Sequence, residues 1–263
     1  MKKNEQILNI SDMKNIILFH ENMPAINFSA RKTTQGPEIE LVKNFLNKRI
    51  SQLNKNKFSY AIFIEPQIDT SFPDIVIAEF DKTTFENWNN TRNSLNHSDL
   101  KIYHHILKSG SVTSIEIIKK LGVSDKKLKI TLERLLASEL VTKKEKKWMP
   151  ADTKKSIGVK KLISVEAKIG DFSKALSQAQ TNKWFASESY VLTDAKKISD
   201  QSKSLSKDAG VGIYSLSQNK INKLSNSNPQ NYPACFGSLL FNEWIGRRLH
   251  KKDCFLGVNN GKN

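Results

Sequence analysis

Leu162-Ile163-Ser164-Val165-Glu166-Ala167-Lys168-Ile169 is the stretch from which the fold is read. Ile163, Val165, Ala167 and Ile169 alternate with Ser164, Glu166 and Lys168, the period of a β-strand. Glu166 and Lys168 therefore share one face, expected to be the exposed one. Taken alone, an acid and a base there read as a surface ion pair. More than that requires other residues to converge on them.

Composition bounds the setting. The chain has 263 residues, 38% of them hydrophobic, with 4 Trp and 13 Phe, enough to bury a core as one large domain or two smaller ones. No apolar run approaches the roughly 20 residues of a membrane span. The first residues, Met1 to Gln6, lead into no apolar core or small-residue cleavage site, so export is not expected. With only Cys235 and Cys254 there is no disulfide framework, which fits a reducing cytoplasm. The formal charge of +16 favours a polyanionic partner, DNA or RNA, over a small metabolite. A Lys- and Asn-rich coding bias would produce the same excess.

Working outward from Glu166, residues 1–34 hold two short apolar patches, Ile7 to Ile10 and Ile16 to Phe19, and read as a peripheral lead-in. Pro37 then opens a helix in which Ile39, Val42, Phe45, Leu46 and Ile50 recur at helical spacing. Glu38 projects beside that apolar stripe, whereas Glu40 falls on the wet face. Phe58 to Ile68 reads as a strand, and Phe72 to Ala78 as a second with Pro73-Asp74 at its mouth. Asp beside Ile-Val-Ile is poor strand chemistry, so Asp74 marks either a turn or a placed carboxylate.

A helix with Glu38, a strand, a strand opening with Pro73-Asp74 and a strand with Glu166-Ala167-Lys168 together resemble the PD-(D/E)XK nuclease superfamily. The segment Glu38-Ile39-Glu40-Leu41-Val42 is similar to the opening of its Holliday junction resolvase branch. The resemblance implies an α/β, restriction endonuclease-like core with a mixed central sheet flanked by helices. It implies that Asp74, Glu166 and Glu38 bind Mg²⁺, with Mn²⁺ able to substitute, and that Lys168 assists the attacking water. Gln178-Ala179 looks like the Gln-Ala element of many members, which makes Gln178 a contact to substrate phosphate or a scaffold of the site. Where some members carry an aromatic residue four positions later, this chain has Asn182.

Glu166 lies 92 positions after Asp74, far more than a hairpin loop needs. The intervening residues supply the reason. Ser98 to Lys108, Thr113 to Leu121 and a third segment capped by Ser124 read as helices, and Leu140 to Trp148 as a small hairpin with a basic tip. This series resembles a winged helix-turn-helix. In such a module the third helix and the wing contact duplex DNA, which nominates Lys126, Lys127 and Lys129, and Lys143, Lys144, Lys146 and Lys147. Looping out residues 85–158 as a winged-helix insert should leave Asp74 and Glu166 on adjacent antiparallel strands, since closing a long insertion costs little.

Downstream, Phe172 to Ser187 reads as a helix, Ser189 to Thr193 as a strand, Ala195 to Asp208 as a polar helix and Val211 to Leu216 as a last strand. From Tyr232, Phe236, Leu239, Leu240, Trp244 and Ile245 mark a packing helix with a basic end. His104 and His105 are adjacent mid-helix and cannot share one face, so no metal site is read there. The expected organisation is a lead-in at 1–34, a discontinuous nuclease core at 35–84 and 159–263, and the DNA-binding insert at 85–158. The expected activity is a Mg²⁺-dependent DNA endonuclease, cytoplasmic, able to act as a homodimer, without membrane or small-molecule cofactor. The alternative is a DNA-binding regulator or assembly subunit built on a catalytically inactive nuclease-like core, and the plainest reading is a basic α/β protein with coincidental motifs.

Overall fold

The structure, a computed structural model, describes residues 15–33, 35–53 and 57–250. The elements begin with β1 (Ile16–Phe19), α1 (Pro37–Ser51), β2 (Ser59–Ile64) and β3 (Ile75–Phe80). Next come α2 (His97–Ser109), β4 (Val112–Thr113), α3 (Ser114–Leu121), α4 (Asp125–Ala137), β5 (Val141–Lys144), β6 (Lys147–Pro150) and the single turn α5 (Thr153–Ser156). The chain ends with β7 (Val159–Ala167), α6 (Phe172–Asn182), β8 (Glu188–Thr193), α7 (Asp200–Asp208), β9 (Gly212–Ser217), β10 (Lys220–Ser225) and α8 (Phe236–His250). No helix among the described residues is long and apolar enough to cross a membrane.

The chain divides into two compact units, one holding residues up to 24, 28–80 and 160–234, the other 25–27, 81–159 and 235 onward. The first is a mixed seven-stranded sheet in the order β1-β2-β3-β7-β8-β9-β10, with helices over it. β1 runs parallel to β2, β2 antiparallel to β3, and β7, β8 and β9 are mutually parallel. One face of the sheet packs on α1, where Ile39, Val42 and Phe45 join Val165, Ala167 and Leu192 in a single apolar cluster. On the other, Ala175, Leu176 and Ala179 of α6 meet Val191. Both faces are thus covered, and Glu166, expected on an exposed face, is only 3% accessible.

Three further expectations change. Ile16–Phe19 is not lead-in but the edge strand β1, with Phe19 stacked on Phe63 at 4.3 Å between ring centroids; Ile7 to Ile10 lie outside the described residues. β10 has no clear alternation, being a mostly exposed edge strand, yet Gln218 and Asn219 both take positive φ and close a two-residue hairpin from β9. The C-terminal helix α8, expected with the nuclease core, groups with the second unit.

In the second unit α2, α3 and α4 accompany a three-stranded sheet of order β4-β6-β5. Its local signals are strong. Asn96 and Glu116 each take part in a capping box, Ser124 accepts from the Lys127 amide, and Gly122 ends α3 at φ 63°, a conformation costly for residues with a Cβ. α8 packs on α2 and is buried on nearly every side. Inside it, Glu243 pairs with Arg92 at 2.5 Å with both side chains almost wholly buried, and the Arg92 guanidinium lies 3.9 Å from the Trp88 ring centre. Gly246 is required where it stands, because a Cβ would lie 2.1 Å from the Trp88 ring.

Candidate active site

Asp74 and Glu166 come together because β3 and β7 are neighbours in the sheet. Asp74 precedes β3, and its Oδ2 accepts from the amide of Ala167, the last residue of β7, at 2.7 Å. The start of one strand therefore lies beside the end of the other, an antiparallel placement. Asp74 stands just before β3, where its carbonyl still accepts from the Glu65 amide while its carboxylate holds the neighbouring strand's amide.

Glu166 points to the α6 side, where Asn182 Nδ2 donates to its Oε1 at 2.5 Å. Asn182 is itself buried, on the face of α6 that carries Ala175, Leu176 and Ala179. Gln178, one turn earlier, is exposed. The structure thus brings Asn182, not Gln178, to Glu166. Sequence reasoning passed over Asn182 because it departs from the family pattern; its spacing with Ala175 and Ala179 on one helical face was the available signal.

Lys168 follows β7, and its Nζ meets Glu38 Oε1 at 2.6 Å. α1 positions that partner, since Pro37 at the first helical turn sets Glu38 at the start of the helix, where the positive end of its dipole favours a carboxylate. Glu38, Asp74, Arg31, Glu65 and Ile169 line one cavity of about 400 Å³. Arg31 and Glu65 were not anticipated. Glu65 follows β2 at φ 49°, its amide donates to the Asp74 carbonyl at 3.1 Å, and its carboxylate takes the Arg31 guanidinium, which also lies 5.3 Å from the Phe72 ring centre. The sequence Glu65-Pro66 offered only a strand end.

The electrostatics follow from burying acids together. Burial, and then the Asp74 carboxylate, push the Glu166 pKa up to about 9. Asp74 is raised too, chiefly by burial, against the opposing hydrogen bond from Ala167. Burial and Asp74 lift Glu65 to about 7, with Arg31 pulling the other way. Lys168 is raised by its hydrogen bond to Glu38. Two adjacent carboxyls that resist ionising are what a divalent cation would relieve, and Mg²⁺ needs only one or two protein carboxylates beside its waters. The donor chemistry of Asp74 and Glu166 fits such an ion, although among the described residues no group of three or more His, Cys, Asp or Glu is arranged around one point to hold a metal.

In the second unit Lys126, Lys127 and Lys129 stand exposed at the start of α4, and Lys143, Lys144, Lys146 and Lys147 are exposed on the β5–β6 hairpin. The hairpin turns at Glu145-Lys146, pairing Lys144 with Lys147, and Lys143 Nζ lies 5.2 Å from the Trp148 ring centre. Comparison with protein-family models, with curated proteins and with solved structures returned no match.

Proposed function

We propose that this protein is a metal-dependent DNA endonuclease of the PD-(D/E)XK type, with a winged-helix module that docks duplex DNA. The observation that carries the reading is the placement of Asp74 beside Glu166 at the meeting ends of β3 and β7, with the Lys168–Glu38 pair at the same end of the sheet. Residues 92 positions apart become neighbours, as this function requires and a coincidental motif does not. The helix and strand order of the second unit, with its exposed lysines, supports the docking part.

Asp74 and Glu166 would hold Mg²⁺, with Mn²⁺ as a substitute. When bound, the ion supplies charge neutralisation on the scissile phosphate and activation of the attacking water. The chain's own residues do the positioning. The Ala167 amide fixes the Asp74 carboxylate and the Asn182 amide fixes Glu166, so neither acid must be ordered when substrate arrives. Lys168 carries a full charge on Nζ and would exchange Glu38 for the water or the phosphate, stabilising negative charge as it develops. Glu38 acts here as the holder of Lys168; a ligand role would require that ion pair to open.

The test is cleavage of plasmid, linear and branched DNA with Mg²⁺, Mn²⁺ or EDTA. Cleavage should require the divalent ion and be abolished in Asp74→Ala and Lys168→Ala while DNA binding persists. Full activity in both variants would sink the proposal. Duplex binding by the wild type without cleavage under any metal would favour a regulator or assembly subunit on an inactive core.

A further inference from the structure

Arg31 takes no part in the proposed chemistry, yet its placement is fixed from several sides. The segment that carries it runs beside the end of β2. There the Gln67 amide donates to the Ser29 carbonyl at 2.9 Å, the Arg31 amide to the Glu65 carbonyl at 2.9 Å and the Ala30 amide to Asn22 Oδ1 at 2.8 Å. The guanidinium is then held twice, by the Glu65 carboxylate through Nη2 and by the Phe72 ring, whose centre is 5.3 Å away. Holding so long a side chain costs rotamer entropy, and a guanidinium fixed in advance loses less when it meets a ligand.

Three neighbouring strand ends set what that guanidinium faces. In the order β2-β3-β7, Glu65 follows β2, Asp74 precedes β3 and Lys168 follows β7. Arg31 with Glu65 therefore stands on one side of Asp74 and Lys168 with Glu38 on the other, with β2 and β7 two strand spacings, or about 10 Å, apart. Arg31, Glu65, Asp74 and Glu38 line the same cavity of about 400 Å³, Arg31 being the one cation among the described residues that line it. Burial raises the Asp74 pKa, and Arg31 opposes that rise at least as strongly as Lys168 does, so its charge is felt at the metal-binding acid. Glu65 occupies only Nη2. Nε and Nη1 meet no hydrogen-bond partner among the described residues, and 54% of the side chain is open to solvent. These N–H groups are charge-assisted donors suited to phosphate oxygens.

We infer that Arg31 is a substrate-binding residue of this site, donating to the DNA phosphate next to the scissile one while Lys168 serves the scissile phosphate itself. The inference rests on the nuclease reading for the identity of the ligand and adds to it a second cation on the far side of Asp74. The pair with Glu65 keeps the guanidinium in place until the phosphate arrives.

The experiment measures binding of a fluorescent DNA duplex over a series of salt concentrations at constant, dilute Mg²⁺. Every variant is built on Lys168→Ala so that the strand stays intact, and each is checked for folding by circular dichroism. Arg31→Gln should weaken binding about fivefold or more and lower the slope of log affinity against log salt by about 0.9, the share of one phosphate. Arg31→Lys keeps the charge and should restore the slope. Glu65→Gln removes the carboxylate but leaves Arg31, and should bind as tightly as its parent or more tightly. With Lys168 restored, cleavage at saturating protein should fall less than about threefold in Arg31→Gln, because a contact made equally before and during the reaction lowers affinity and not the rate at saturation. Affinity and slope unchanged in Arg31→Gln overturn the inference. So do equal losses in Arg31→Gln and Glu65→Gln, which would mark the ion pair as a brace of the fold, and so does a lower rate at saturation without a loss of affinity. A protein that shows the expected shifts but never cuts DNA keeps the phosphate contact and loses the nuclease reading. One that cuts while Arg31→Gln matches its parent loses this inference alone.

Discussion

Burying Glu166 beside Asp74 lets its carboxyl keep a proton up to about pH 9. Because the folded pKa lies above the unfolded value of about 4.3, the folded state binds more protons between them. The stability this contributes is fully present below pH 4.3 and is lost as pH rises through 9. In EDTA the melting temperature should therefore fall from pH 5 to pH 9, with a shallower fall in Glu166→Gln; identical profiles for the two proteins would refute this. On the proposed nuclease reading, Asn182→Ala should lower the cleavage rate about 10-fold or more, since it frees Glu166 to adopt unproductive orientations. Cleavage at the wild-type rate would show that Asn182 only packs. Glu38, Asp74, Glu166 and Lys168 stood out in the sequence at element boundaries or on a periodic face, and the family resemblance grouped them as a candidate site. Asn182, Arg31 and Glu65 were not, because what places them is a helix-to-sheet contact and a positive-φ turn, neither of which leaves a short-range pattern.

Among the elements, α8 carries the most unusual interior, a helix that buries Asn242, Glu243 and Arg247 along with its apolar residues. Asn242 Oδ1 accepts from the Gly158 amide at 2.9 Å, so the helix completes loop hydrogen bonding as well as filling space. Glu243→Ala would leave Arg92 charged and unpaired in the interior, and should destabilise the second unit by about 3–5 kcal/mol in denaturant unfolding. A loss under about 1 kcal/mol would mean that water reaches Arg92. By contrast, Ser124→Ala removes one weak cap bond of 3.4 Å and should cost about 0.5–1 kcal/mol. The helices of the second unit were legible because caps, glycine stops and 3.6-residue periods agree there. β1 and β10 were harder, since an edge strand has only one neighbour and little pressure to alternate.

For the whole molecule, the charge of +16 should make the proposed duplex binding strongly salt-dependent. Changing Lys143 and Lys144 to Glu should weaken binding and reduce the slope of log affinity against log salt by about 0.9 for each phosphate that is no longer neutralised. An unchanged slope would place the DNA elsewhere. The interrupting helical module was legible from spacing and the mixed sheet from the family resemblance, but the allotment of the C-terminal helix was not, because an apolar stripe does not say which surface it covers. That allotment has a consequence for synthesis. The first unit has all seven strands once residue 225 has left the ribosome, whereas the second, whose main stretch begins at residue 81, lacks α8 until residue 250 has emerged. The interrupting module is begun mid-chain and closed last. It must stay incomplete, with the α8-facing side of α2 uncovered, throughout translation of the strands that follow it.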